Sequence, residues 1–150
     1  MRAKVLCLIA LAAMTACDSM NNDPQTAAGQ QAVNFSEAYF NYHLQRAQKY
    51  VTEESEHWIS FVASNINEED LALLNQQAEG ATVECIQTLL TSDTTAVSTI
   101  QVNHFLQLGA VGTEGQWIES AQFDLQLVQR NSRWKVKMEG PLQSGKQSRD

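Results

Sequence analysis

Cys85, His104 and Glu119 are the side chains of this sequence best able to do chemistry together. A thiol, an imidazole and a carboxylate supply a nucleophile, a base and an orienting acid. The same three can equally line a ligand pocket. They meet only if strand register brings them to one face. Residues 82–91, 96–108, 117–130 and 133–139 alternate apolar and polar side chains, as strands do. With symmetric turns between them, His104 stands opposite Val83 on one side and Ala121 on the other. Cys85 and Glu119 then become its diagonal neighbours, about 7–8 Å away between backbones and within reach of long side chains. The plainer reading is packing. A lone buried Cys behaves as a small hydrophobe, Glu119 near a strand start reaches solvent, and His104 serves as a hydrogen-bonded core histidine.

Other constellations are weaker. Tyr39, Tyr42 and Tyr50 share one expected helix and can each present a hydroxyl, or simply fill core and rim. Glu54-Ser55-Glu56-His57 is a Glu-x-x-His step that can turn two ligands toward one metal. A di-metal bundle needs a second such pair and two more glutamates, which the sequence lacks, so the segment reads as a solvated acidic helix start. The glycine-rich segment 109–115 is followed by neither Lys-Ser/Thr nor a helix, which makes it a hairpin loop and not a phosphate cradle. No cofactor is implied.

The elements that must position these residues follow from periodicity. Residues 35–51 read as a helix, with Phe40, Leu44, Ala47 and Val51 at helical steps and Ser36 as a cap. Thr52 before Glu53, Glu54 and Glu56 starts a second, with Trp58, Phe61 and Val62 as its stripe. Asn67 before Glu68, Glu69 and Asp70 starts a third, which buries Leu71 and Leu74 and ends at Gly80. Short links between the four strands favour an antiparallel meander. Its apolar face carries Val83, Cys85, Leu89, Ile100, Val102, Leu106, Leu108, Ala121, Phe123, Leu125, Leu127, Trp134, Val136 and Met138. Gln101, Asn103, Gln122, Asp124, Gln126, Arg133, Lys135 and Lys137 take the other. The expected fold is α+β: three N-terminal helices on one face of a curved four-stranded meander sheet.

The N-terminus says where such a domain would live. Arg2 and Lys4 precede an apolar run, residues 5–14, which is too short to span a bilayer. Small residues then lead into Cys17. Met14-Thr15-Ala16-Cys17 resembles the lipobox of a bacterial lipoprotein, which implies cleavage before Cys17 and acylation of that residue, palmitate included. Residues 1–16 would be the signal and 17–34 the lipidated cysteine with a flexible polar spacer, spanning roughly 20–25 Å. The domain would cover 35–142, and 143–150 a polar tail. Losing residues 1–16 takes the net charge from −7 to −9. So acidic a chain is a poor partner for nucleic acid or an anionic surface, and attachment would come through the lipid, of which two or more chains hold stably. Cys7 leaves with the signal and Cys17 becomes a thioether, so Cys85 has no partner for an intrachain disulfide. Asp18 after Cys17 resembles an inner-membrane retention signal of enteric bacteria. Other lineages sort differently, so the choice of membrane stays open.

Element order, the segment Ala47-Gln48-Lys49-Tyr50-Val51 and the terminal Trp134-Lys135-Val136 strand resemble the nuclear transport factor two-like (cystatin-like) superfamily over residues 35–142, and within it small lipid-tethered bacterial domains. The resemblance implies a pocket between helices and concave sheet, in folds that host binding modules, isomerases, hydrolases and dehydratases. Its proton-transfer members use a carboxylate with a tyrosine or another acid inside the cone. Glu119 has no such companion here, since Asp124 falls on the opposite face. The leading expectation is a lipid-anchored, non-catalytic envelope domain holding a small apolar ligand or a partner protein, with His104, Glu119, Cys85 and Tyr50 as candidate ligand contacts. A small enzyme using His104 with Glu119 or Tyr50 is the second. An inhibitor or assembly protein working through the sheet exterior is the third.

Overall fold

The computed structural model describes residues 23–109, 113–142 and 146–147; the signal segment and Cys17 lie outside them. Helix α1 (Pro24–Phe40) begins where the sequence offers a cap. Asp23 accepts from the Thr26 N–H at 3.2 Å and from its hydroxyl at 3.0 Å, and Pro24 at the first position has no N–H to leave unpaired. Residues 24–34 are therefore helical, which corrects the expected flexible spacer. Their buried side chains are small ones that leave little periodic signal. Ala28, Gly29 and Ala32 are buried, because α1 lies so close to the sheet that a Cβ on Gly29 would stand 2.7 Å from Thr88 Oγ1. Ser36, expected as a cap, is buried within α1 instead.

The expected helix 35–51 is broken in two. The Asn41 amide donates to the carbonyls of Glu37 (2.8 Å) and Ala81 (3.1 Å), and its Oδ1 accepts from the Ala81 N–H at 2.8 Å. Tyr42 then takes a left-handed conformation, φ 59°, before α2 (Leu44–Gln48) resumes. A 3₁₀ turn (Glu53–Ser55) leads into α3 (Glu56–Asn65), and the Met138 N–H ties that start to the sheet through Ser55 Oγ at 2.9 Å. Ile59 and Val62 form the buried stripe, while Phe61 is half exposed. Helix α4 (Glu68–Asn75) opens on a reciprocal Asn67–Asp70 capping box, with bonds of 2.8 and 3.1 Å. Asp70 is its buried residue and Leu71 is exposed, so the expected Leu71–Leu74 pair does not form. Gly80 lies beyond the helix end, beside Asn41, where a Cβ would come within 2.5 Å of Oδ1.

The four expected strands are present within a residue or two: β1 (Thr82–Leu90), β2 (Thr95–Gln107), β3 (Gln116–Arg130) and β4 (Arg133–Lys137), antiparallel in that order. A short β5 (Lys146–Gln147) pairs with Ala121 and Gln122 of β3, so part of the expected polar tail returns to the sheet. The β3–β4 register is the expected one, Leu127 opposite Val136. Its turn residues Asn131 and Ser132 have φ of 52° and 63°, as a type I′ hairpin demands. The β2–β3 hairpin and the first half of β1 are displaced by two residues, and the β1–β2 pairing next to its turn by one, so Val102, not His104, lies between Val83 and Ala121. An even displacement keeps every side chain on its face, and Ile100, Val102, Ala121, Phe123, Leu125, Leu127, Trp134 and Val136 are all buried. In β1 a bulge between Cys85 and Gln87 reverses the faces beyond it. Thr88 turns in and bonds Ser98 Oγ at 2.8 Å, and Leu89, expected inward, is exposed. Helix α1 lies across β1, β2 and β4. No helix among the described residues is long and apolar enough to cross a membrane.

Candidate functional site

A cavity of about 190 Å³ opens between the first helices and the sheet. Tyr39 and Phe40 come to it from the end of α1, Tyr42 from the break after α1, Val62 from α3, Phe105 from β2 and Phe123 from β3. Phe40 is the hub of its wall. Its ring centroid lies 5.1 Å from Tyr39, 5.1 Å from Phe105 and 4.7 Å from Phe123. Such edge-on and tilted ring pairs add to the burial of large apolar surface.

Two hydroxyls stand in this aromatic wall. Burial pushes the Tyr39 phenol up to about 12, partly offset by a backbone hydrogen bond from Leu142. The Tyr42 phenol is raised too, first by burial and then by the charges of Tyr39 and Asp70. Tyr42 donates its proton to the Leu106 carbonyl. Both groups are protonated near neutrality, and a neutral phenol is a hydrogen-bond donor, not a base. No Asp, Glu, His, Lys or Arg is among the described residues that line the cavity. Asp70 is buried behind it, with Oδ2 accepting from the Asn67 N–H at 3.1 Å and Oδ1 without a hydrogen-bond partner among the described residues.

None of the four candidate residues lines this cavity. His104 and Glu119 do come together, but on an exposed groove shared with Trp117 and the segment after α4. His104 takes φ 56° there, and its carbonyl accepts from Gln77 Nε2 at 2.8 Å. Cys85 is half-buried beneath α1, its Sγ 3.4 Å from Thr88 Oγ1. Tyr50 lines a separate cleft beside Trp134. A nucleophile–base–acid set of Cys85, His104 and Glu119 is therefore not assembled. The left-handed turn of His104 interrupts the alternation of β2, so that Phe105, an outward residue by parity, is buried against Phe40 and Phe123. One signal for this was present, since Asn and His are enriched among non-glycine residues at positive φ. Glu54 is paired with Arg130 at 2.7 Å, and no three His, Cys, Asp or Glu converge among the described residues.

This architecture, helices first and then an antiparallel meander, is shared with solved structures. An NTF-2-like protein of unknown function from Shewanella oneidensis MR-1 superposes with a TM-score of 0.51 at 12% identity, over 76% of this chain and 94% of the other. A ketosteroid isomerase-like protein from Erwinia carotovora atroseptica SCRI1043 gives a TM-score of 0.51 at 12% identity, over 80% of this chain and 99% of its own. The domain has the nuclear transport factor two-like fold. No family model and no curated protein matches the sequence. At such identity a nuclear transport factor two-like architecture says nothing of the reaction or ligand, which must be argued from the cavity itself.

Proposed function

We propose that this nuclear transport factor two-like domain is a lipid-anchored, non-catalytic module of the bacterial envelope that takes a small, mainly apolar ligand into the cavity under α1. The observation that carries the reading is the cavity itself: about 190 Å³, walled by Phe40, Phe105 and Phe123, with the Tyr39 hydroxyl protonated at its edge. An apolar cavity of about 150 Å³ already holds benzene, whereas drug-sized ligands occupy about 300–1,000 Å³. The space suits one ring with one hydrogen-bond acceptor for Tyr39, and is too small to enclose a fused four-ring skeleton. Catalysis by His104 with Glu119 or Tyr50 has no support from this cavity, because none of them lines it. A second reading, an envelope protein docking on the sheet exterior, draws on Trp117, which is 44% exposed beside His104 and Glu119. Titration calorimetry separates the two. A one-ring aryl ketone binds and a four-ring steroid ketone does not; steroid binding, or no binding of either, refutes the cavity reading.

A further inference from the structure

Basic groups gather where α1 begins. An open cleft of about 650 Å³ runs between the first half of α1, the turn after α2 and the β3–β4 hairpin, and Thr26, Lys49, Tyr50, Arg133, Trp134 and Lys135 line it. No Asp or Glu is among the described residues that line it. This is an unusual segregation in a chain with 17 acids and 10 bases. The one ion pair among the described residues, Arg130–Glu54, takes none of these three cations. Lys135 donates to the Lys49 carbonyl, which draws the two lysine segments together, and the type I′ turn at Asn131-Ser132 projects Arg133 into solvent. Tyr50 and Trp134 supply apolar surface beneath the charges.

The covalent chain sets where this cleft can lie. Asp23 caps α1 only six residues after Cys17, and six extended residues reach at most about 20 Å. Thr26, a cleft residue, is in the first turn of α1. With Cys17 lipidated, the α1 end of the cleft is held within about 20 Å of the headgroups, a shorter tether than a spacer running to residue 34 would have made.

We infer that the Lys49–Arg133–Lys135 cleft seats the phosphate of an anionic phospholipid, so that the domain lies against the leaflet by this face and turns the aromatic cavity away from it. The chemistry is a phosphate diester met by an Arg fork and two Lys ammonium groups, with the half-buried Tyr50 beside them. Asp23 adjoins the cleft, its carboxylate accepting from the Thr26 hydroxyl at 3.0 Å; the three cations outweigh it there, and screening limits the reach of more distant acids. The orientation rests on the reading of Cys17 as the lipid-bearing residue; the recognition of phosphate by the cleft does not.

The test uses the full chain purified from membranes and reconstituted into vesicles of phosphatidylcholine alone or with phosphatidylglycerol. An amine-reactive reagent is applied, and labelling of Lys49 and Lys135 is compared with that of Lys137 by mass spectrometry. Lys49 labels about fivefold more slowly in the anionic vesicles, the factor that one basic residue at an anionic surface is worth. Lys137 is unchanged, and Arg133→Ala or 1 M salt removes the protection. Equal Lys49 labelling in both vesicle types overturns the proposal. So does protection by inorganic phosphate at matched ionic strength in phosphatidylcholine vesicles without further protection by phosphatidylglycerol, which would assign the cleft to free phosphate. The intact mass reports on Cys17 separately. An unmodified Cys17 in a chain that still floats with anionic vesicles fails the anchor and keeps the cleft. An acylated Cys17 with unprotected Lys49 does the reverse.

Discussion

Raising the pH should unfold this domain through its cavity tyrosines. Tyr39 goes from 10.0 in the free side chain to about 12 in the fold, because its phenolate would be buried. A raised folded-state value means that stability is fully present below pH 10 and is lost as pH rises through about 12. Two units at about 1.4 kcal/mol each make that loss about 3 kcal/mol for Tyr39 alone. Tyr42, raised in the same direction, adds to it. Lysines also titrate in this range, so the informative quantity is a difference between variants. Denaturant unfolding of wild type, Tyr39→Phe and Tyr42→Phe at steps from pH 9 to 12, with tyrosinate absorbance followed in parallel, supplies it. The wild type loses stability more steeply between pH 10 and 12 than either variant, and Tyr39→Phe recovers about 2 kcal/mol of the loss by pH 12. Parallel curves for all three proteins would refute the argument that these hydroxyls are buried donors.

Three further outcomes follow from the packing and the tether. Trp134→Ala removes a side chain only 6% exposed and costs about 3–5 kcal/mol in chemical denaturation. Lys135→Ala, which gives up one exposed hydrogen bond, costs less than about 1 kcal/mol; equal effects would mean the faces of β4 are misassigned. Gly29→Ala forces α1 off β1, because its Cβ would stand 2.7 Å from Thr88 Oγ1 and 3.5 Å from Cys85 Sγ, and lowers stability by about 1–3 kcal/mol; an unchanged denaturation midpoint contradicts that close approach. Cys17→Ser abolishes acylation and releases the chain from the membrane fraction, and unchanged membrane association with unchanged mass would end the lipoprotein reading.

The sheet was legible in the sequence and the site was not, for reasons that can be named. Period-two alternation survives a displacement of two residues, so the faces of β2, β3 and β4 came out right although Val102 replaced His104 between Val83 and Ala121. Two local events escaped parity: the β1 bulge after Cys85 and the left-handed His104. Each reverses alternation at one residue, and the second moved the central candidate to the surface while bringing Phe105 inside. Helix α1 was half missed because Ala28, Gly29 and Ala32 bury by being small, which a search for large apolar residues does not detect. Its true start was signalled by Asp23-Pro24, a cap followed by a first-turn proline. The break at Tyr42 depends on Asn41 holding Ala81, a contact forty residues away that no local pattern contains.

The central claim is that the space under α1 is a ligand site and not a packing flaw. The most direct test is mass spectrometry of small molecules extracted from the full chain purified from its native envelope, beside a Val62→Trp variant that fills the cavity from α3. A one-ring, mainly apolar compound recovered in near-stoichiometric amount from the wild type and lost from a folded Val62→Trp protein is the expected result. Recovery of no compound from the wild type, or of the same compound equally from both, would contradict it.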